Sequence, residues 1–168
     1  IDISKELDAL GSHYNAFTAQ EYTGYYAKAE AKHFGQILDI VSDIYLNSTF
    51  PEAEMQKEKG VIIEEINMYE DMPSRHVQDL FQEVLYGDQP AGWNIAGTKE
   101  NVRAMTRDDF VKYKKSHYVA EGTVIVVAGN VATDEVHREA LKHFADVHTS
   151  KKGGKVKTKD IQITPNVI

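Results

Sequence analysis

Glu58-Lys59-Gly60-Val61-Ile62-Ile63-Glu64-Glu65 places two carboxylates, Glu58 and Glu65, seven positions apart in a stretch with helical periodicity. At about 3.6 residues per turn, the two side chains fall about 20° apart in azimuth and about 10.5 Å apart along the axis, so they share a face. The residues three and four positions from Glu65 are Val61, Ile62, Met68 and Tyr69, which predicts an apolar stripe around it. Glu64 lies near Lys57, Gly60 and Asp71 instead and is expected to point to water. An ionised carboxylate in an apolar stripe is costly unless a cation, a metal or strong donors meet it, so Glu65 requires a partner. The axial separation is too long for both carboxylates to bind one ion directly, but one can be a ligand while the other orients its surroundings. On this segment alone, an ordinary ion pair with Arg or Lys is the simpler account.

Outward from this helix, Pro51 suits its first turn and Pro73 marks its end. Upstream, residues 1–10 read as the end of a helix stopped by Gly11. Residues 13–18 and 22–30, rich in Tyr, Phe and Thr, form a hairpin joined at 19–21, and residues 31–47 carry an amphipathic helical stripe. Downstream, Val77, Leu80, Phe81, Val84 and Leu85 predict another helix, and residues 87–98 a loop. Thr106 and Asp109 resemble a capping box opening a helix through about His117. Gly-Thr-Val-Ile-Val-Val-Ala-Gly at 122–129 reads as a buried strand, and residues 133–146 as a helix capped by Thr133. No internal repeat is present. A hairpin, a run of helices, then a strand and a helix predict an α+β fold, with a mainly antiparallel sheet and helices packed chiefly on one face.

The chain has 168 residues, 42% hydrophobic and 27% charged, enough for one well-formed core. No apolar run approaches the roughly 18 residues that a membrane span needs, so no membrane role is expected and a soluble, cytoplasmic protein is the default. The absence of cysteine excludes disulfides and thiolate metal sites, leaving His, carboxylate or water as metal ligands. Residues 1–100 hold 7 Lys and Arg against 18 Asp and Glu, whereas residues 101–168 hold 12 against 8. An acidic surface of this kind argues against nucleic acid and favours a basic peptide as partner.

Three segments occur in an order that resembles a known family. They are Leu10-Gly-Ser-His-Tyr-Asn-Ala-Phe-Thr18 with Thr23-Gly-Tyr-Tyr26, the Glu58–Glu65 segment, and Gly97-Thr98 followed by the run ending Val127-Ala-Gly129. The chain resembles the first domain of the pitrilysin-type zinc peptidases (inverzincins), which include insulin-degrading enzyme and the mitochondrial processing peptidase. That resemblance implies a zinc-dependent endopeptidase acting on peptides or unfolded segments. In the family, zinc is held by the two histidines of an inverted His-x-x-Glu-His helix and by a glutamate on a later helix, while the Glu between the histidines is the general base. By resemblance Glu65 is the zinc ligand and Glu58 the carboxylate that supports the site. Asn15, Ala16 and Phe17 match the strand that takes substrate by main-chain pairing; a plain core hairpin is the alternative. Tyr25 and Tyr26 are assigned to sheet packing.

One departure is large. The histidines are His13, His33, His76, His117, His137, His143 and His148, and no pair has the His-x-x-Glu-His spacing. His137 and His143 read as surface residues. The motif and its general base would lie before Ile1, so no catalytic residue is assigned within the chain, which alone is expected to be inactive. Residues 1–148 then read as a partial peptidase N-terminal domain lacking that helix, and 149–168 as a Lys/Gly-rich linker with a possible strand at 161–168 leading to the next domain. The resemblance also implies a second homologous domain or subunit closing a chamber around the peptide, and exposed ends make a homo-oligomer plausible. The competing reading is a non-catalytic scaffold or peptide-binding homologue of the same fold.

Overall fold

Helix α1 (Asp2–Ala9) stops where Gly11 takes a φ of 59°, a left-handed conformation that a side chain resists. Ser12 closes the turn by donating from both its backbone N (3.1 Å) and its Oγ (2.8 Å) to the Leu7 carbonyl. The chain then enters an antiparallel hairpin, β1 (His13–Thr18) and β2 (Thr23–Lys28), in the register Asn15 to Tyr26 and Phe17 to Gly24. The bond from Ala19 N to Tyr22 O, 2.8 Å, closes its turn.

The computed structural model describes residues 2–151, 153–160 and 164–165. They fall into two units, one made of the chain up to Thr49 with Tyr113–Gly153, the other of Phe50–Lys112 with the chain beyond Gly154. In the first unit α2 (Phe34–Leu46) packs on β2 and on α7 (Thr133–Phe144). Leu7, Leu38, Ile40, Val119 and Val147 are buried. An aromatic group of Tyr25, Tyr45, Tyr118 and Phe144 fills the same unit, with Tyr25 and Tyr118 sharing a hydroxyl hydrogen bond of 2.9 Å. Tyr45 and Thr123 share another of 2.6 Å. Lys114 Nζ donates to the Leu46 carbonyl at the end of α2, 2.8 Å, where a cation suits the helix dipole.

The second unit holds α3 (Glu52–Glu70), α4 (Pro73–Tyr86) and α5 (Lys99–Ala104), with α3 touching both others. Proline opens α4 at a position where its missing N–H costs nothing, and Gly87, φ 63°, ends it. Lys59 Nζ reaches the Arg103 carbonyl (3.0 Å), and Lys99 pairs with Glu70 (2.6 Å). Gln89 binds Lys159 in both directions, accepting from its N (2.8 Å) and donating to its O (2.9 Å). The predicted capping box opens α6 (Arg107–His117): Thr106 donates from N and Oγ1 to Asp109 Oδ2, and Asp109 N returns to Thr106 Oγ1.

The fold is α+β, with an antiparallel sheet and helices packed against it. Three local expectations need correction. Residues 122–129 are not a buried strand: 124–127 pair with no strand among the described residues, and Val124 and Val126 are 84% and 83% exposed. β-propensity measures fit to a neighbouring edge, and the described sheet offers none there. The run instead borders an apolar cleft of about 470 Å³ with β2, α2 and Phe144. Thr133 does not cap α7, since Ala132 holds the cap position without a side-chain bond. Helix α5 emerges just after the predicted loop, capped by Thr98 Oγ1 accepting from Asn101 N. The possible strand at 161–168 falls mainly outside the described residues. Among those described, no helix is long and apolar enough to cross a membrane.

Burial and then the hydrogen bond with Tyr25 push the Tyr118 phenol well above its ordinary range. The folded state holds the neutral form, so this contribution to stability is complete below the unfolded value and is lost as pH rises above it. Urea unfolding of Tyr118→Phe is expected to show a shallower loss of stability above about pH 10 than wild type. An unchanged slope would assign the alkaline loss to another group.

Candidate functional site

Nineteen residues of continuous helix hold Glu58 and Glu65 on one side of α3. That side is exposed, which corrects the apolar-stripe expectation: both carboxylates lie in water, and Val61 and Met68 beside them are 59% and 49% exposed. The less exposed side carries Met55, Lys59, Ile62 and Ile66. Ile66 stands about 100° around the helix from Glu65, so the buried stripe runs beside the carboxylates rather than through them. Glu65 thus faces no burial penalty for a counter-charge to offset, and among the described residues it has no ion pair.

The two carboxylates differ in their partners. Glu65 Oε1 accepts a hydrogen bond from the Tyr69 hydroxyl, 3.2 Å, one helical turn on. Glu58 has no hydrogen bond or ion pair among the described residues. Arg75, in the first turn of α4, sets its guanidinium carbon 5.3 Å from the Tyr69 ring centroid. The chain reverses between them at Met72, whose extended backbone ends one helix before Pro73 begins the next. Tyr69 carried an available signal in its spacing of four from Glu65; Arg75 lies beyond a helix break and carried none.

Asn15, Ala16 and Phe17 are exposed on β1, in the unit that does not contain Glu65. The closing Ala19–Tyr22 bond sets the alternation of the hairpin, which turns the N–H groups of Tyr14, Ala16 and Thr18 away from β2. Asn15 Oδ1 accepts the Ala16 N–H at 2.8 Å, so the side chain covers the middle of this edge, which pairs with no other strand among the described residues. The Phe17 ring lies over Gly24, where a Cβ would collide with it. Tyr25 packs in the aromatic core as expected, whereas Tyr26 faces the opposite, exposed side with His13 and Phe17.

His137 is exposed, but His143 is not a surface residue: its side chain is 11% exposed between α2 and α7, with Nδ1 3.4 Å from Asp39. Its Nε2 stands 3.7 Å from Glu139, too far for a hydrogen bond, and is buried without a partner among the described residues. The two carboxylates address different ring nitrogens, so the trio does not converge on one ion. No group of three or more His, Cys, Asp or Glu among the described residues could hold a metal.

Comparison with known proteins gives this surface a context. Residues 2–99 match the Insulinase (Peptidase family M16) family, and residues 104–167 match the Peptidase M16 inactive domain. A Bacillus subtilis protein named uncharacterized zinc protease YmxG is 38% identical over 151 residues, covering 90% of this chain and 37% of the relative. The human mitochondrial-processing peptidase subunit beta is 37% identical over 153 residues, covering 91% and 31%. The fold matches the crystal structure of a protease from Helicobacter pylori with a TM-score of 0.84 at 20% identity, covering 94% of this chain and 38% of that one. It also matches a peptidase M16 inactive domain from Pseudomonas fluorescens with a TM-score of 0.81 at 14% identity, covering 92% and 38%. The chain therefore spans about a third of the length of these proteins, and on the family match over more than half its length it belongs to the insulinase family of peptidases, M16.

Proposed function

We propose that this chain is part of a zinc-dependent endopeptidase that hydrolyses peptides or unfolded segments, contributing Glu65 as one zinc ligand and β1 as the strand on which the peptide aligns. The observation that carries this reading is the Glu65 carboxylate, exposed on a long helix and without an ion pair among the described residues, in a chain related to proteins named zinc protease. Its donor chemistry fits one corner of a hydrolytic zinc site, which takes three protein ligands and keeps a position open. Glu58 is too far along the axis to share the ion and orients the surroundings instead. The remaining ligands and the general base then belong to parts of the protein outside these residues, and the chain alone is inactive. Bound zinc would supply Lewis acidity and a lowered pKa for water.

Residues 1–148 belong in this reading to one peptidase domain, with 149–168 leading onward to a homologous domain or subunit that closes around the peptide. The outward N–H groups of β1 give an extended peptide main-chain partners. Asn15 must release Ala16 N–H as the peptide arrives, and its carboxamide is then free to bond the incoming backbone. Phe17, braced over Gly24, offers an apolar surface to a peptide side chain.

In the full-length protein, Glu65→Gln is expected to bring zinc well below one equivalent, and Glu58→Gln to weaken zinc on the order of 10 to 100-fold. Full stoichiometry in Glu65→Gln by metal analysis would refute the ligand assignment. Ala16→Pro removes an N–H that β2 does not use, so the hairpin should persist while KM for peptide rises at least several-fold. A KM unchanged by this substitution would rule out peptide pairing along β1.

A further inference from the structure

Glu65 sits on an open helix face, where a carboxylate with three side-chain torsions samples many directions, and holding it in one costs conformational entropy. Two residues bear on that freedom. The Tyr69 hydroxyl takes Oε1, selecting rotamers that lean toward the C-terminal end of α3, and leaves Oε2 without a protein donor among the described residues. The Tyr69 ring in turn lies under the Arg75 guanidinium.

Arg75 is the informative member. It stands in the first turn of α4, a few residues beyond the acid-rich α3, yet among the described residues it forms no ion pair, and its charge is directed at the Tyr69 ring. A guanidinium bound directly to Glu65 would occupy both oxygens and oppose a second cation there. Through the phenol, the same cation steadies the carboxylate while leaving its charge available. We propose that Tyr69 and Arg75 are positioning residues that hold Glu65 ready to take a divalent cation, an inference that rests on the ligand reading of Glu65.

The test uses the full-length protein and two measurements: the zinc dissociation constant by chelator competition, and the melting temperature of the metal-free protein. Tyr69→Phe is expected to weaken zinc about tenfold without moving the metal-free melting temperature. Arg75→Gln should cause a smaller loss in the same direction, and Arg75→Lys, which keeps a cation for the ring, should recover part of it. Because Arg75 acts through the Tyr69 hydroxyl, the double variant should bind zinc no more weakly than Tyr69→Phe alone. Wild-type affinity in Tyr69→Phe, or additive losses in the double variant, would overturn the proposal. Arg75 is exposed, so its variants decide the matter even where Tyr69→Phe destabilises the fold. Glu65→Gln separates the two levels of inference: zinc retained there removes the ligand reading and this one together. Zinc lost there but unchanged in Tyr69→Phe removes only the positioning role.

Discussion

A straight helix has one side to bury, and α3 spends it on Met55, Lys59, Ile62 and Ile66. The helical repeat then forces the Glu58 and Glu65 face outward, together with Val61 and Met68. Every property of the candidate site follows from this division. Carboxylates on the exposed side carry no burial penalty, and Glu65 is held by a hydrogen bond from its own helix rather than by packing. The same rigidity makes them unequal, because only Glu65 has an aromatic hydroxyl one turn further on.

The hairpin obeys an equivalent rule of alternation. Once the Ala19–Tyr22 bond fixes which pairs share hydrogen bonds, every second N–H of β1 must point away from β2. A free edge of this kind invites unwanted pairing. Asn15 answers that hazard locally by covering Ala16 N–H with its own side chain, a bond that another main chain can replace at little cost. On the reading proposed for β1, protection and availability are two states of this one residue.

Local chemistry was legible in the sequence wherever a few neighbouring residues decide the outcome. The Gly11 stop, the Thr106–Asp109 box, the hairpin and the seven-residue spacing of Glu58 and Glu65 all belong to that class. The reading failed where a distant neighbour decides. Val61 and Met68 were assigned to the core because they are apolar, but only the placement of α4 and α5 determines which side of α3 is covered. Residues 124–127 have strand composition and no paired edge among the described residues, and His143 is half-buried because α2 and α7 close on it from opposite parts of the chain. Arg75 reaches Tyr69 only through the reversal at Met72 and Pro73, which no periodicity encodes.

The exposed apolar surface has a common character that bears on how such a chain works within a longer one. Val124 and Val126 lie on an extended run beside an open cleft, and Val61 and Met68 flank the carboxylates. An isolated apolar side chain in water is ordinary, whereas aligned sets on a strand-like run and on a helix face are surfaces suited to cover by further protein. Such cover would also lower the local dielectric around Glu65, strengthening its attraction for a cation while raising the cost of leaving it unpaired. An orientation fixed beforehand by Tyr69 matters most under those conditions, because a carboxylate that must reorganise after water is excluded does so against a steeper penalty. On the ligand reading proposed for Glu65, the open helix face and the phenol on Oε1 are parts of one arrangement, in which the carboxylate is oriented before its surroundings become dry.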